Sequence, residues 1–285
     1  MANRTISENI NQAISDFKGI KQALIYKGVE IPKGTPTSEY GAKIEEIQGG
    51  GLDTSRITNF YQFCQNNRIP VDDLDGLDTR SGTNFQYMFQ NCTNLTTVPQ
   101  LDLSNGTNFS FMFYYCENLT TVPQLNTSNG TNFSRMFGDC TNLTTVPQLD
   151  TSKGTSFGSM FYGCSKLKAV ELDTSNGTNF SYMFYRCYEL STVKLTSFVA
   201  DANMFVSCSE LTNLTVTGTI TVNATNALKL GYSSKLTVES LLSVLNALAD
   251  NTGGTTYNIQ LGSTNLAKLT EEQKAIATNK NYTLS

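Results

Sequence analysis

Residues 173–195 read Asp173-Thr-Ser-Asn-Gly-Thr-Asn-Phe-Ser-Tyr-Met-Phe-Tyr-Arg-Cys-Tyr-Glu-Leu-Ser-Thr-Val-Lys-Leu195, and the same frame recurs along most of the chain. Cys92, Cys116, Cys140 and Cys164 stand 24 residues apart; Cys187 follows after 23 and Cys208 after 21. Met183-Phe184 has counterparts in Met88-Phe89, Met112-Phe113, Met136-Phe137, Met160-Phe161 and Met204-Phe205. A fixed period in this range marks stacked repeat units, none of which can bury its apolar side alone. A degenerate copy opens near Leu52 and carries Phe60, Phe63 and Cys64, which makes about seven units over residues 52–217.

Within a unit, Phe109, Met112, Phe113 and Cys116 are spaced by three, four and seven. That spacing predicts one face of a short helix or helical turn. The Ser/Asn/Gly/Thr run before it supplies turn and cap chemistry. Leu119-Thr-Thr-Val122 reads as a short strand. Three units end Val-Pro-Gln-Leu, with Pro99, Pro123 and Pro147 in register, whereas Val170-Glu-Leu172 and Val193-Lys-Leu195 are one residue shorter. Because Pro has no N–H for a ladder, it is expected just past the paired part of the strand. All seven cysteines read as one repeat position. Without the tight ligand pairs of a metal site, they are expected to be reduced, buried thiols.

Composition narrows the chemistry. The chain of 285 residues has no His, which excludes His-based acid–base catalysis, Ser-His triads and His metal sites. A net charge of −4 argues against a nucleic-acid partner held through phosphates. No apolar stretch is long enough to span a membrane, and Met1-Ala-Asn-Arg-Thr5 leads into a polar segment without an apolar signal region. Asp53, Asp78, Asp102, Asp150 and Asp173, with Asn126 in the same frame, are expected to cap turns rather than to form acid–base pairs. Asp72, Asp73 and Asp75 read as connection residues, not ligands. The frequent Asn-x-Thr triplets recur because the repeat recurs. No metal and no cofactor is expected.

Variation inside the fixed frame singles out a candidate surface. Around the Met-Phe pairs stand Tyr87, Phe111, Tyr114, Tyr115, Tyr162, Tyr182, Tyr185, Arg186 and Tyr188. Aromatic side chains in a row suit contacts with sugars or proteins, and Tyr114, Tyr115, Tyr162, Tyr182, Tyr185, Arg186 and Tyr188 are the predicted binding residues. The competing reading is that these rings pack between successive turns. The Thr pairs at 96–97, 120–121 and 144–145 form a polar, uniform face that can equally be a stabilising ladder.

The flanks differ from the repeats. Ile10, Ala13, Phe17, Ile20 and Leu24 follow helical spacing behind Ser7. Ile10, Phe17, Ile20 and Leu24 are the predicted assembly residues. That helix reads either as a cap on the first repeat or as a seam between identical chains, hence a homo-oligomer. Pro32 and Pro36 follow it, and Tyr40, Ile44 and Ile47 suggest a second small helix before the linker Gly49-Gly50-Gly51. Beyond the repeats, 219–222 reads as a strand, 238–249 as a helix, 251–254 as a turn and 257–261 as a strand. Thr270-Glu-Glu-Gln273 reads as a capping box opening a short helix.

The unit at 173–195 closely resembles the BspA-type leucine-rich repeat of bacterial surface proteins. The resemblance spans about residues 52–217 through the recurring Met-Phe-x-x-Cys-x-x-Leu core. It implies an adhesive role and brings no catalytic residues. The stretch Asn9-Ile-Asn-Gln-Ala-Ile through Pro36-Thr-Ser-Glu-Tyr40 resembles the N-terminal segment of bacteriophage tail- and head-fibre-like proteins. Residues 261–284 are similar to C-terminal caps of such phage and gut-bacterial repeat proteins. Together these imply an α/β leucine-rich-repeat solenoid of 21–28-residue units over 52–217. A helical anchor at 1–48, a Gly linker at 49–51 and an α/β cap at 218–285 complete the expected organisation. The expected function is a non-enzymatic virion protein of a bacteriophage, made in the host cytoplasm, docking on other virion proteins through residues 1–48. Its solenoid would meet a host glycan or protein. A bacterial cell-surface adhesin is the alternative, and a glycan-active enzyme a third reading without a supporting residue cluster.

Overall fold

The computed structural model describes residues 54–67, 77–222 and 227–285. The predicted anchor with Ile10, Phe17, Ile20 and Leu24, the Gly linker, Asp53 and the Asp72–Asp75 group lie outside the described residues.

The repeats stack as coils joined by main-chain hydrogen bonds. In residues 109–116 the N–H groups divide into two sets. Those of Phe109, Phe111, Phe113 and Tyr115 donate to the carbonyls of Asn132, Ser134, Met136 and Gly138 in the next coil, at 2.8–2.9 Å. Those of Met112, Tyr114 and Cys116 turn back three residues to Phe109, Phe111 and Phe113, at 3.1–3.2 Å. An α-helix would send every N–H back four residues instead. The expected helix is therefore absent from the described repeats, and a run of tight turns takes its place. Phe111 (φ 58°) and Tyr115 (φ 60°) are the third residues of turns with a left-handed backbone there, the type II pattern. The same two positions have positive φ in the neighbouring coils, from Tyr87 and Asn91 to Tyr182 and Arg186.

The inward face is the one the spacing predicts. Phe109, Met112, Phe113 and Cys116 are fully buried. Phe rings stack coil on coil in two columns. One runs Phe60–Phe85–Phe109–Phe133–Phe157–Phe180 and the other Phe89–Phe113–Phe137–Phe161–Phe184–Phe205, with centroids 5.3–5.7 Å apart. Each buried Phe contributes about 1.5–3 kcal/mol relative to an exposed one. Turn glycines lie flat on the first column: a Cβ on Gly130 would sit 2.4 Å from the Phe133 ring and 2.9 Å from that of Phe109.

All seven cysteines are free and buried, but they do not share one position. Cys64 donates its N–H to Met88, as Phe89 does to Met112, so Cys64 occupies a Phe-column site. Counted from Phe60, Cys64 stands four residues on, the place that Phe89 takes after Phe85. The other six do form a ladder. Each thiol donates to the carbonyl one coil back at the second Phe-column position: Cys92 to Cys64, Cys116 to Phe89, Cys140 to Phe113, Cys164 to Phe137, Cys187 to Phe161 and Cys208 to Phe184, at 2.9–3.1 Å. Burial pushes these thiols well up; Cys92 and Cys208 reach about 12.

The strands also depart from expectation. Leu119–Val122 forms none, and neither do the other described Pro-bearing coils. There the coils share single main-chain bonds such as Thr120 to Thr96 and Thr144 to Thr120. Strands begin in the first coil without the Pro. β1 (Ala169–Leu172), β2 (Thr192–Leu195) and β4 (Asn213–Val216) form a parallel sheet with Val170, Val193 and Leu214 in register. Pro therefore prevents pairing rather than sitting beyond it, because it removes a donor and adds a residue to the coil. β3 (Phe198–Val199) pairs in parallel with β5 (Ile220–Thr221).

The C-terminal region closes the stack. Helix α1 (Val238–Ala247) lies on β4, and its serines replace a further strand: Ser240 Oγ accepts the Leu214 N–H and Ser243 Oγ accepts that of Val216, at 2.9–3.0 Å. β6 (Leu228–Lys229), β7 (Tyr257–Gln260) and β8 (Tyr282–Leu284) make a third parallel sheet, of which only β7 was expected. α2 (Ser263–Leu266) and α3 (Glu271–Thr278) complete it, and the predicted capping box of Thr270 and Gln273 is formed. Lys280 Nζ donates to the Asn246 and Leu248 carbonyls at 2.6–2.7 Å and so closes the end of α1. One buried core runs without a break from Phe60 to Tyr282.

Two outcomes check this packing. Gly130→Ala should lower unfolding stability by about 1–3 kcal/mol through overpacking, measured by denaturant titration. A thiol reagent should leave Cys116, Cys140, Cys164 and Cys187 unmodified in the native protein and modify them after denaturation.

Candidate functional site

The turn run decides which side chains face outward. Phe and Met point in, while the two left-handed residues and the one before the second of them stand on the other side, exposed or half-buried where they carry large side chains; Ser159 is buried there. Coil by coil these are Tyr87-Gln90-Asn91, Phe111-Tyr114-Tyr115, Arg135-Gly138-Asp139, Ser159-Tyr162-Gly163 and Tyr182-Tyr185-Arg186. The coil backbone is constant here, and the side chains vary.

The predicted binding residues fall into two ring groups rather than one stripe. In the first, Tyr87 stacks on Phe111 at 4.6 Å, Phe111 meets Tyr114 edge-on at 5.3 Å, and Tyr114 and Tyr115 are 4.4 Å apart. Arg135 lies over Phe111 and Tyr114 at 5.4 and 5.7 Å. In the second, Tyr162 stacks on Tyr185 at 5.2 Å, Tyr182 meets Tyr185 edge-on at 5.5 Å, and Arg186 lies over Tyr185 at 5.3 Å. Tyr188 is exposed and outside both groups. Tyr115, Tyr182 and Tyr188 are 41%, 41% and 47% exposed, so they are not core residues; Tyr114, Tyr162 and Tyr185 are half-buried. Packing between turns and presentation to solvent therefore hold together. Burial, and then the adjoining Tyr115, pushes Tyr114 up to about 12. Sequence reading missed Arg135 and Asp139. Asp139 is half-buried, and burial raises its carboxyl against the pull of Arg135 and Arg186.

A concavity of about 980 Å³ runs along the Pro-bearing coils. Leu77, Leu101, Leu125 and Leu149 line it together with Gln100, Gln124 and Gln148. The Gln124 amide donates to the Gln148 carbonyl at 2.5 Å and that of Gln100 to Gln124 at 3.4 Å. The Asp row stands along it and caps turns: Asp102, Asn126, Asp150 and Asp173 each accept, through Oδ1, the N–H of the Ser two residues on, at 3.0–3.2 Å. Below these, Thr79, Thr127 and Thr151 are buried and donate to the carbonyls of Asp102, Asp150 and Asp173. Among the described residues, no group of His, Cys, Asp and Glu could hold a metal ion, and no helix is long and apolar enough to cross a membrane.

The family described as "Mycoplasma protein of unknown function, DUF285" matches residues 40–146 and 107–218, which together exceed half of the chain and include every described coil that carries the outward rings. The chain belongs to the DUF285 family. No curated protein matches it. Among solved structures, a leucine-rich repeat protein from Bacteroides ovatus ATCC 8483 is 16% identical over 64% of this chain, with a TM-score of 0.32. The alignment covers 47% of that protein, so this DUF285 chain spans about half the length of the structure it matches.

The Asp row of this DUF285 protein gives a pH test. Hydrogen bonds from Ser104 and Ser175 hold Asp102 and Asp173 below the usual carboxylate range. A depressed folded-state value means stability that is complete above the unfolded value, about pH 4, and lost as pH falls through the folded one. Asn126 shows that an amide makes the same turn. Asp102→Asn with Asp173→Asn should therefore fold and show a shallower loss of stability below about pH 4, read by denaturant titration across pH.

Proposed function

We propose that this DUF285 protein is a non-enzymatic adhesion protein that binds through its outward turn face, at the surface of a bacterial cell. The observation that carries this reading is the pairing of a buried coil core, constant in its Phe, Met, Phe and Cys positions from Phe85 to Cys187, with variable outward rings that contact one another and two guanidinium groups. Side chains with few rotatable bonds, already fixed before contact, lose little entropy on binding. The partner is a surface glycan or a protein. Replacing Tyr115, Tyr162 and Tyr185 together by Ser should leave circular dichroism and a cooperative unfolding transition intact and reduce adherence to target cells at least tenfold. Unfolding of the triple variant would return these rings to a packing role, and unchanged adherence would remove the face from consideration.

A second reading is carried by residues 9–40, which resemble the N-terminal segment of phage fibre-like proteins. In it the chain is a virion appendage subunit, a tail or head fibre or a decoration. Residues 1–48 then dock on other virion proteins or join copies of the chain through Ile10, Phe17, Ile20 and Leu24. Antibody against the solenoid decides between the two: labelling of intact cells supports the adhesin, and labelling of purified phage particles supports the virion protein. In the second case, deleting residues 1–48 should abolish incorporation into particles.

A further inference from the structure

We propose that the outward face holds a sugar subsite centred on Asp139, which takes a neutral hexose unit of a glycan chain. The proposal rests on the reading of this face as the binding surface. Between the two ring groups the turn-run residues become small and are covered by their neighbours: Gly138, Gly158, Ser159 and Gly163 are buried. Tyr114 leans over Gly138, where a Cβ would stand 3.0 Å from its ring. The Asp139 carboxylate leans over Gly163, where a Cβ would stand 2.4 Å from Oδ1. Any side chain at 163 would displace the carboxylate, so glycine there lets Asp139 lie across the next coil.

The carboxylate is left without a partner. It is half-buried, yet among the described residues it accepts no hydrogen bond and forms no ion pair. A carboxylate partly removed from water without donors is costly, and donors from a ligand relieve that cost. Arg135 and Arg186 act on it at longer range, while their guanidinium groups stack on Phe111, Tyr114 and Tyr185. Glu117 is the third charge near the carboxylate and, with Asp139 itself, the second anion. Two cations and two anions balance, so the place favours neither a polyanion nor a cationic peptide. It offers the exposed ring of Tyr115 one coil before, one acceptor group and two donor groups at near-zero charge.

That set matches a pyranose. One side of the sugar ring is a sheet of C–H groups that packs on an aromatic face. Vicinal hydroxyls donate to a carboxylate, and the remaining oxygens accept from guanidinium N–H. An extended peptide is served less well. Along these coils the main-chain N–H groups are already spent on the next coil or on the turns, so no open strand edge is offered.

The test measures binding of neutral gluco-, manno- and galacto-oligosaccharides to the full chain by calorimetry, with polygalacturonate and an oligolysine as charged controls. At least one neutral oligosaccharide should bind, and Asp139→Asn should weaken it by about tenfold or more, the loss of hydrogen bonds to a charged acceptor. Asn accepts the left-handed backbone at 139, so the unfolding midpoint should not move. Arg186→Met, at an exposed site, should also weaken binding. Absence of binding by all neutral oligosaccharides, or equal affinity in Asp139→Asn, overturns the subsite. If the sugars fail but adherence to cells still falls in the Tyr115, Tyr162 and Tyr185 variant, the adhesion reading survives alone; if adherence is also unaffected, both fall.

Discussion

Every second N–H of the turn run crosses to the next coil, and the fold depends on that division of the main chain. A helix would satisfy its amides internally and leave neighbouring units to be held by side chains alone. Here the amides at Phe109, Phe111, Phe113 and Tyr115 tie one coil to the next, and the intervening ones close the turns. The geometry requires a left-handed backbone at two turn positions in every coil from Gln62 to Arg186, often on bulky residues such as Phe111, Tyr115, Tyr182 and Arg186. Each costs roughly 1–2 kcal/mol. The ladder and the two Phe columns offset this only because many coils are stacked, since a lone coil has no neighbour to receive its amides. Cooperativity along the stack is thus a requirement of the backbone, not only of the hydrophobic core.

The inward face was legible because the turn run and a helix share the three-four-seven spacing, so Phe109, Met112, Phe113 and Cys116 point in under either structure. The secondary structure was not legible, because spacing reports which side chains meet and says nothing of where the amides go. One clue lay in the sequence. The second left-handed position carries Asn66, Asn91, Asp139 and Gly163 in four of its coils, residues that tolerate positive φ. The rings at Tyr115 and the guanidinium at Arg186 masked it. The Asp row was legible as turn chemistry, because Asn126 replaces one member without disturbing the frame. The surroundings of Asp139 were not legible, because they come from Gly163 one coil later and from Arg135 and Arg186, a juxtaposition that only stacking creates.

The ends of the stack follow from the same accounting. A coil that ends the array leaves amides without a receiver, and the C-terminal end solves this with hydroxyls. Ser240 and Ser243 on α1 take the N–H groups that a strand after β4 would have taken. The helix they sit on then needs its own last carbonyls satisfied, and Lys280 reaches across from the end of α3 to do so. The capping box at Thr270 was readable because it is local. The serines were not, because a Ser at a helical position carries no mark of the strand it faces.

A constant backbone with variable outward positions also explains where recognition can arise. Equivalent side chains of adjacent coils stand about one strand spacing apart, ~4.8 Å, so neighbouring rings at equivalent positions lie in contact rather than isolated. Where consecutive coils carry rings, as at Tyr87 and Phe111 or Tyr162 and Tyr185, the result is a closed aromatic surface. Where a coil carries glycine instead, a side chain from the preceding coil collapses into the gap. Gly138 admits Tyr114 in this way, and Gly163 admits Asp139. Polar groups are thereby drawn to the floor between aromatic walls without any change to the core. The relief of this surface is thus made by subtraction: glycine at two positions over two coils leaves room that Tyr114 and Asp139 take, beside the rings left standing.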